Sequence, residues 1–320
     1  MPSFNYELTP PDKLRPYKAA AMTLGLGTAR SHPNDLIMLD KSYAARLTYR
    51  RHLLRTHPET YAHQPHACWA AVSEFYSYVV AHHLPTRFPQ HFSKSPSGTL
   101  VLNHTTTNTY PVVPQSAANA LRALGENLDE DFVLLERGPA AAGQPSDVAW
   151  RVAAFVVCFP AGVRLAETLG RRLRDVPALQ AQLGGPAVER CLDLLPPGVE
   201  HGVRRLAWTI ARSGELFTPH GTHLGSDADA DADAGADTDA IRPDQCCLRV
   251  ERQTMWKLPG SGAAVVGIKT YTYPLAELKA EDAGAEGHRL AAAIEAMGDA
   301  MGRYRAGSVW GRQVLDYLRT

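Results

Sequence analysis

Net charge is the first thing this chain lacks: 33 Lys and Arg offset 33 Asp and Glu over 320 residues. A neutral balance leaves no broad basic footprint for nucleic acid or for an anionic membrane surface. Apolar runs of bilayer length are missing, and the opening MPSFNYELTPPDKLRPYK has no apolar signal core, so the expectation is a cytoplasmic protein without a membrane span. Cysteine is scarce. Cys68, Cys158, Cys191, Cys246 and Cys247 are odd in number and show no C-x-x-C spacing, which argues against a disulfide framework and against a zinc or iron-sulfur site. A phosphate-cradling glycine loop is also lacking: Gly25-x-Gly27 is followed by Arg30 where a third glycine belongs.

What is present divides into three parts of one expected domain, residues 1–320. Residues 1–127 read as a helical N-terminal part. Prolines 2, 10, 11, 16 and 33 keep the first forty residues irregular. Tyr43, Leu47 and Leu54 then recur at helical spacing, as do Cys68, Val72, Phe75, Val79 and His83, with Pro85 and Pro89 stopping the second helix. His63, His66, His82, His83 and His91 lie here without a carboxylate placed as in H-E-x-x-H, so they read as surface or core-edge histidines. Ser97 to Pro114 reads as irregular, and Ser116 as the cap of a short helix closed by Gly125.

Residues 128–275 read as a sheet core. Strands are expected over Phe132–Glu136, Val148–Phe159 and Val203–Leu216. Helices are expected at Leu165, Leu169 and Leu173 and over Ala187–Leu195. The low-complexity acidic stretch 226–240 reads as a disordered insertion. Its Asp229-x-Asp231-x-Asp233 repeats the start of a calcium loop, but Ala234 and Ala240 replace the glycine and glutamate that such a loop requires. Residues 276–320 read as C-terminal helices striped by Leu290, Ile294, Met297, Met301 and Tyr304, then by Trp310, Val314 and Tyr317.

The stretch from Cys246 to Leu275 is the most informative. It reads as a hairpin in which Leu248, Val250, Thr254, Trp256 and Leu258 share one face and Arg249, Glu251, Gln253 and Lys257 the other. If Pro259-Gly260-Ser261-Gly262 is the whole loop, Leu248 faces Tyr273, Trp256 faces Val265, and Arg252 faces Lys269. Two cations opposite each other repel, which suggests an anion shared between Arg252 and Lys269, such as a cofactor carboxylate; the ordinary alternative is a solvent-facing pair at a sheet edge.

Several segments together resemble the haem-dependent oxidative N-demethylase alpha subunit family. They are Pro16-Tyr17-Lys18 with Met22-Thr23-Leu24-Gly25-Leu26, Asp40-Lys41-x-Tyr43, Leu84-Pro85-x-Arg87-Phe88-Pro89, Val156 to Gly162, Val203-x-Arg205 with Trp208-x-Ile210, Arg249-x-Glu251-Arg252-Gln253-Thr254, and Ile268-Lys269-Thr270-Tyr271. The resemblance implies an α+β fold with a PAS-like antiparallel sheet and N-terminal, inserted and C-terminal helices. It further implies haem b, an oxidoreductase acting on a small-molecule amine, and electrons from a separate flavin and iron-sulfur reductase. A tailoring oxidase of fungal specialised metabolism is one form this takes.

By the same resemblance Arg205, Arg249, Arg252 and Lys269 are cofactor-binding candidates, with Arg205 and Arg252 on haem propionates, while Glu251 and Gln253 are catalytic candidates. Two departures stand out. The family's I-H-x-P-V-P segment reads Arg172 to Pro177 here, without histidine, and the asparagine before the strand tryptophan is Ala207. His201 is the nearest replacement metal ligand. Two further readings stay open: a PAS-like ligand-binding or sensor protein without catalysis, and a non-haem enzyme acting on an acidic substrate.

Overall fold

The computed structural model describes residues 4–17, 28–64, 68–138, 148–219, 242–296 and 307–320. The acidic stretch 226–240, the Gly25-x-Gly27 segment, His66 and the part of the C-terminal stripe at Met297, Met301 and Tyr304 lie outside them. Among the described residues no helix is long and apolar enough to cross a membrane.

The architecture is α+β, mixed helix and antiparallel sheet. The strands are β1 (Ala29–Arg30), β2 (Tyr61–His63), β3 (Phe92–Lys94), β4 (Leu100–Asn103), β5 (Asn108–Pro111), β6 (Asp131–Gly138), β7 (Ala149–Val156), β8 (Gly198–Ala211), β9 (Cys247–Lys257) and β10 (Ala264–Pro274). Seven of them form one sheet in the order β1-β8-β9-β10-β6-β7-β2, and β3-β4-β5 form a second. The helices are α1 (Tyr43–Thr56), α2 (Trp69–Ser77), α3 (Leu84–Arg87), α4 (Ala117–Asn127), α5 (Pro177–Leu183), α6 (Pro186–Leu194), α7 (Leu275–Ala280), α8 (Ala285–Glu295) and α9 (Gly307–Arg319).

The β9–β10 hairpin has the register its loop length demands, with Leu248 opposite Tyr273, Arg252 opposite Lys269 and Trp256 opposite Val265. Alternation along it does not separate core from solvent, however. Every residue from Cys247 to Trp256 is buried, because both faces of the sheet are covered. On one face the N-terminal helices bring Phe75 and Val72 onto Phe132, Leu134, Trp256 and Val265. On the other, the inserted segment brings Leu173, Leu179, Leu183, Val188 and Leu192 onto Val133, Val152, Phe155, Met255 and Val266. Side chains of successive strand residues point oppositely, so β6 feeds Phe132 and Leu134 to one core and Val133 and Leu135 to the other. The C-terminal helices α7 to α9 close a third core around Ile210, Leu248, Val250, Leu275, Leu290 and Val314.

Five local expectations are corrected. Ser97 to Pro114 is not irregular: it carries β4 and β5, whose short paired runs show too little apolar alternation to read as strands. No helix joins Leu165, Leu169 and Leu173. Gly170 has φ +77° there and hydrogen-bonds from its N to Val152 O, so the segment runs beside β7 between two 3-10 turns, Leu165–Thr168 and Leu173–Asp175.

Gly125 does not close α4, which continues to Asn127. It serves close packing instead, since an added Cβ would lie 2.8 Å from a Val156 methyl. Pro85 does not stop the second N-terminal helix either: the chain winds as a π-helix over Tyr78–His83 and then completes α3 through Pro85. The wider turn relieves the clash that a proline ring makes with the carbonyl four residues earlier. The strand expected over Val203–Leu216 starts at Gly198 and ends at Ala211.

Candidate functional site

Strand parity sorts the candidate residues into two groups on opposite faces of one sheet. Arg249, Glu251 and Gln253 point with their β8 partners Thr209, Ala207 and Arg205 toward the inserted helices. Arg252 is paired with Leu206 and Lys269, and these point toward the N-terminal segment. Arg205 and Arg252 therefore cannot grip the two propionates of one haem, since a sheet lies between them.

On the inserted face, Arg249 is fully buried and donates to Phe159 O at 2.5 Å and to Leu216 O at 3.1 Å, with Nε 3.6 Å from Glu251 Oε1. Burial lowers its pKa, but nearby Glu251 and Asp131 oppose that shift and favour the charged form. The Glu251 carboxylate receives the Gln182 amide nitrogen of α5 at 3.0 and 3.1 Å and the Gln253 amide nitrogen at 3.0 Å. Gln253 Nε2 also donates to Gln182 O at 3.1 Å. Both of these partners are acceptors, which fixes the Gln253 amide orientation. Its Oε1 is buried without a hydrogen-bond partner. Arg205, opposite Gln253 on β8, is half-buried at the rim, next to half-buried Val203 and Ala207.

On the opposite face the like-charged pair is resolved by the chain itself, not by an external anion. Arg252 donates to Asp35 O at 2.8 Å and lies 3.6 Å from the Asp35 carboxylate. Lys269 donates to Met38 O at 2.6 Å and to Asp129 at 2.9 Å, with Asp40 at 3.3 Å. Burial would lower the Lys269 pKa, but Asp129 and Glu130 beside it raise it above the ordinary lysine value. Burial would likewise raise Asp40, yet Lys269 and the Ser42 hydrogen bonds hold it below the usual carboxylate range. Glu130 goes the other way: burial, helped by Asp129 and opposed by Lys269, pushes it up to about 7. Its Oε1 accepts from Met38 N at 2.7 Å, and its Oε2 is buried without a partner.

A third buried pair links the layers. Arg50 of α1 meets Asp131 at 2.6 Å and also donates to Glu130 O and Gly125 O, while Asp131 accepts from Cys158 N and Phe159 N at 2.8 and 2.9 Å. Phe159 O in turn accepts from Arg249. The Val156-to-Gly162 segment is thus pinned between α1 and the inserted-face cluster.

His201 does not join either group. Its side chain is 45 % exposed, 3.5 Å from Glu200, where water competes for any metal it could bind. Among the described residues no group of three His, Cys, Asp or Glu could hold a metal ion. Sequence reasoning missed Gln182, which has no signal of its own, and the acids Asp129, Glu130 and Asp131, whose unbroken run directly before a strand was a readable sign of buried charge.

Residues 27–315 match the family model described as haem-dependent oxidative N-demethylase, alpha subunit-like. That description carries haem dependence and a partner subunit with it. The candidate residues do not converge on one haem. Arg252 and Lys269 are held by the chain's own acceptors across the sheet from Arg205, His201 is exposed, and the inserted segment from Leu165 to Leu194 contains no histidine.

Proposed function

Because the chain belongs to the haem-dependent oxidative N-demethylase alpha subunit-like family, we propose that it is an oxidoreductase component whose share of the reaction is to recognise a small amine. The site is the face of β8, β9 and β10 that carries Glu251. One observation supports this above the others: a buried carboxylate held by two neutral amides, Gln182 and Gln253, with a second buried acceptor, Gln253 Oε1, beside it. Two convergent acceptors under a cover suit a cationic nitrogen, because burial strengthens an ionic hydrogen bond and the amides hold the carboxylate in place. Arg249 is the nearest cation, with its Nε 3.6 Å from Glu251 Oε1 and its terminal nitrogens donating to Phe159 O and Leu216 O.

A PAS-like classification of the sheet and electron supply from a separate flavin and iron-sulfur reductase are parts of this proposal. The family's redox group is the part for which neither the inserted segment, which has no histidine, nor exposed His201 offers a buried nitrogen ligand. That favours a second reading, a ligand-binding protein of the same family without catalysis. A spectrum of the full chain, expressed with haem precursor, separates the two. A Soret band that survives His201→Ala, with amine-dependent formaldehyde release in the presence of a reductant, is the result the oxidoreductase reading requires. Absence of the band after haem supplementation leaves the binding reading.

A further inference from the structure

We propose that Arg87, with the imidazoles of His83 and His91, forms a binding site for a phosphate group on the N-terminal side of the sheet, in a different layer from Glu251. This goes beyond the amine-site reading and stands or falls without it. The Arg87 side chain is the starting point. Among the described residues its guanidinium makes no hydrogen bond and no ion pair; it lies 5.5 and 5.1 Å from the ring centres of Phe4 and Phe88, and its Nε is buried without a partner. The fully buried arginines behave otherwise: Arg50, Arg249 and Arg252 are each held by a carbonyl or a carboxylate. Arg87 and His91 are half-buried, which leaves the group open to a solute.

Two buried imidazole nitrogens border the same aromatic pair. The His83 ring lies 6.3 Å from Phe88 and the His91 ring 6.1 Å from Phe4, and Phe4 and Phe88 are themselves 5.1 Å apart. His83 is 7 % exposed, and the Nε2 atoms of both histidines are buried without a partner. The local backbone brings these groups together: His83 ends the π-helix Tyr78–His83, and α3 carries Arg87 one turn further on. A π-helical turn has poorer hydrogen-bond geometry than an α-helical one and recurs at functional positions.

Charge and proton count select the ligand. Burial, with Arg87 beside it, lowers the His83 pKa to about 4. Burial lowers that of His91 as well, helped by His104 and opposed by the Phe4 backbone and by Glu7. Both rings are therefore neutral at pH 7. A guanidinium next to them repels a metal cation and attracts an anion. Phosphate suits this set because it keeps a proton near neutral pH: its oxygens accept from the guanidinium while its O–H donates to an unprotonated imidazole nitrogen. Sulfate brings no proton and forgoes that second bond.

Titration calorimetry on the full chain at pH 7 with inorganic phosphate, glycerol phosphate and sulfate tests this. Inorganic phosphate should bind at least about tenfold tighter than sulfate, the equivalent of one net hydrogen bond to a charged group. Glycerol phosphate binding as tightly as the free ion assigns the site to the phosphate of a larger ligand; binding of the free ion alone assigns it to inorganic phosphate. Arg87→Met keeps an apolar stem on Phe4 and Phe88 and should weaken phosphate at least about tenfold, while Arg87→Lys should recover part of the loss. His83→Leu should raise the Tm of the phosphate-free chain, because it removes a buried unpaired nitrogen, and should weaken phosphate several-fold. A purely structural histidine would lower the Tm and leave phosphate binding as it was.

Equal affinities for sulfate and phosphate overturn the sharing of the ligand's proton with the imidazoles. A phosphate affinity unchanged in Arg87→Met overturns the site, and so does the absence of phosphate binding by the parent chain. Neither result touches the amine-site reading, which is tested separately by the response of amine binding to Glu251→Gln.

Discussion

Replacing Lys269 by Met is the sharpest test of which buried charges serve the fold. The side chain is 1 % exposed and its ammonium touches Asp129 at 2.9 Å, Asp40 at 3.3 Å and Met38 O at 2.6 Å. Methionine fills the volume but leaves two buried carboxylates facing each other and a carbonyl without its donor. Breaking one side of a buried ion pair costs about 3–5 kcal/mol. With about 2 cal/mol/K of unfolding entropy per residue, a chain of 320 residues loses roughly 1.5 °C of Tm per kcal/mol, so the expected drop is about 4 to 8 °C.

The pH dependence should move as well. Asp40 is held below its ordinary range by Lys269 despite its burial, so it adds stability above its unfolded pKa that is lost as pH falls through the folded one. Without Lys269 its folded pKa rises, and acid destabilisation begins at higher pH. Calorimetric Tm across pH 4 to 8 is the assay, and Lys269→Met combined with Asp129→Asn should recover part of the loss. A variant that keeps the parent Tm but loses binding of an acidic ligand would refute this account and restore Lys269 as a cofactor contact.

Two further outcomes follow from packing and titration. Glu130→Gln keeps the acceptor for Met38 N and removes the ionisation that burial opposes. Because the folded pKa of about 7 lies above the unfolded value, the parent loses stability as pH rises between the two. The Tm of the variant should therefore gain on the parent from pH 5 to pH 8.5, by the equivalent of roughly 3 kcal/mol at most; a constant offset would refute it. Gly125→Ala raises helix propensity but puts a methyl 2.8 Å from Val156 Cγ2 and 3.0 Å from Leu54 Cδ1. Overpacking should win by about 1–3 kcal/mol in urea denaturation, and a stabilised variant would show that α4 can move off the sheet.

The hairpin illustrates what local sequence can fix. Its turn residues set a four-residue loop, and a loop of given length sets the register of every pair behind it, so Arg252 opposite Lys269 follows from chain order alone. The Ser116 cap of α4, whose side chain accepts from Asn119 N, was legible for the same reason. The turn between Leu165 and Leu173 was not. Three leucines at four-residue spacing satisfy a helix pattern, but backbone bonds to Val152, far away in sequence, hold them in another conformation while still burying Leu165 and Leu173.

The sequence by itself determined the family, the strand register and the alternation that separates Arg249, Glu251 and Gln253 from Arg252. It did not determine what covers each face. Only the tertiary structure decided that Asp35, Asp40 and Asp129 come from distant segments to neutralise Arg252 and Lys269, and that Gln182 arrives from the inserted helix to meet Glu251. Strand parity is a property of the backbone and travels with the chain. Charge compensation in a buried site depends on through-space distance, and that distance is set when separate layers pack.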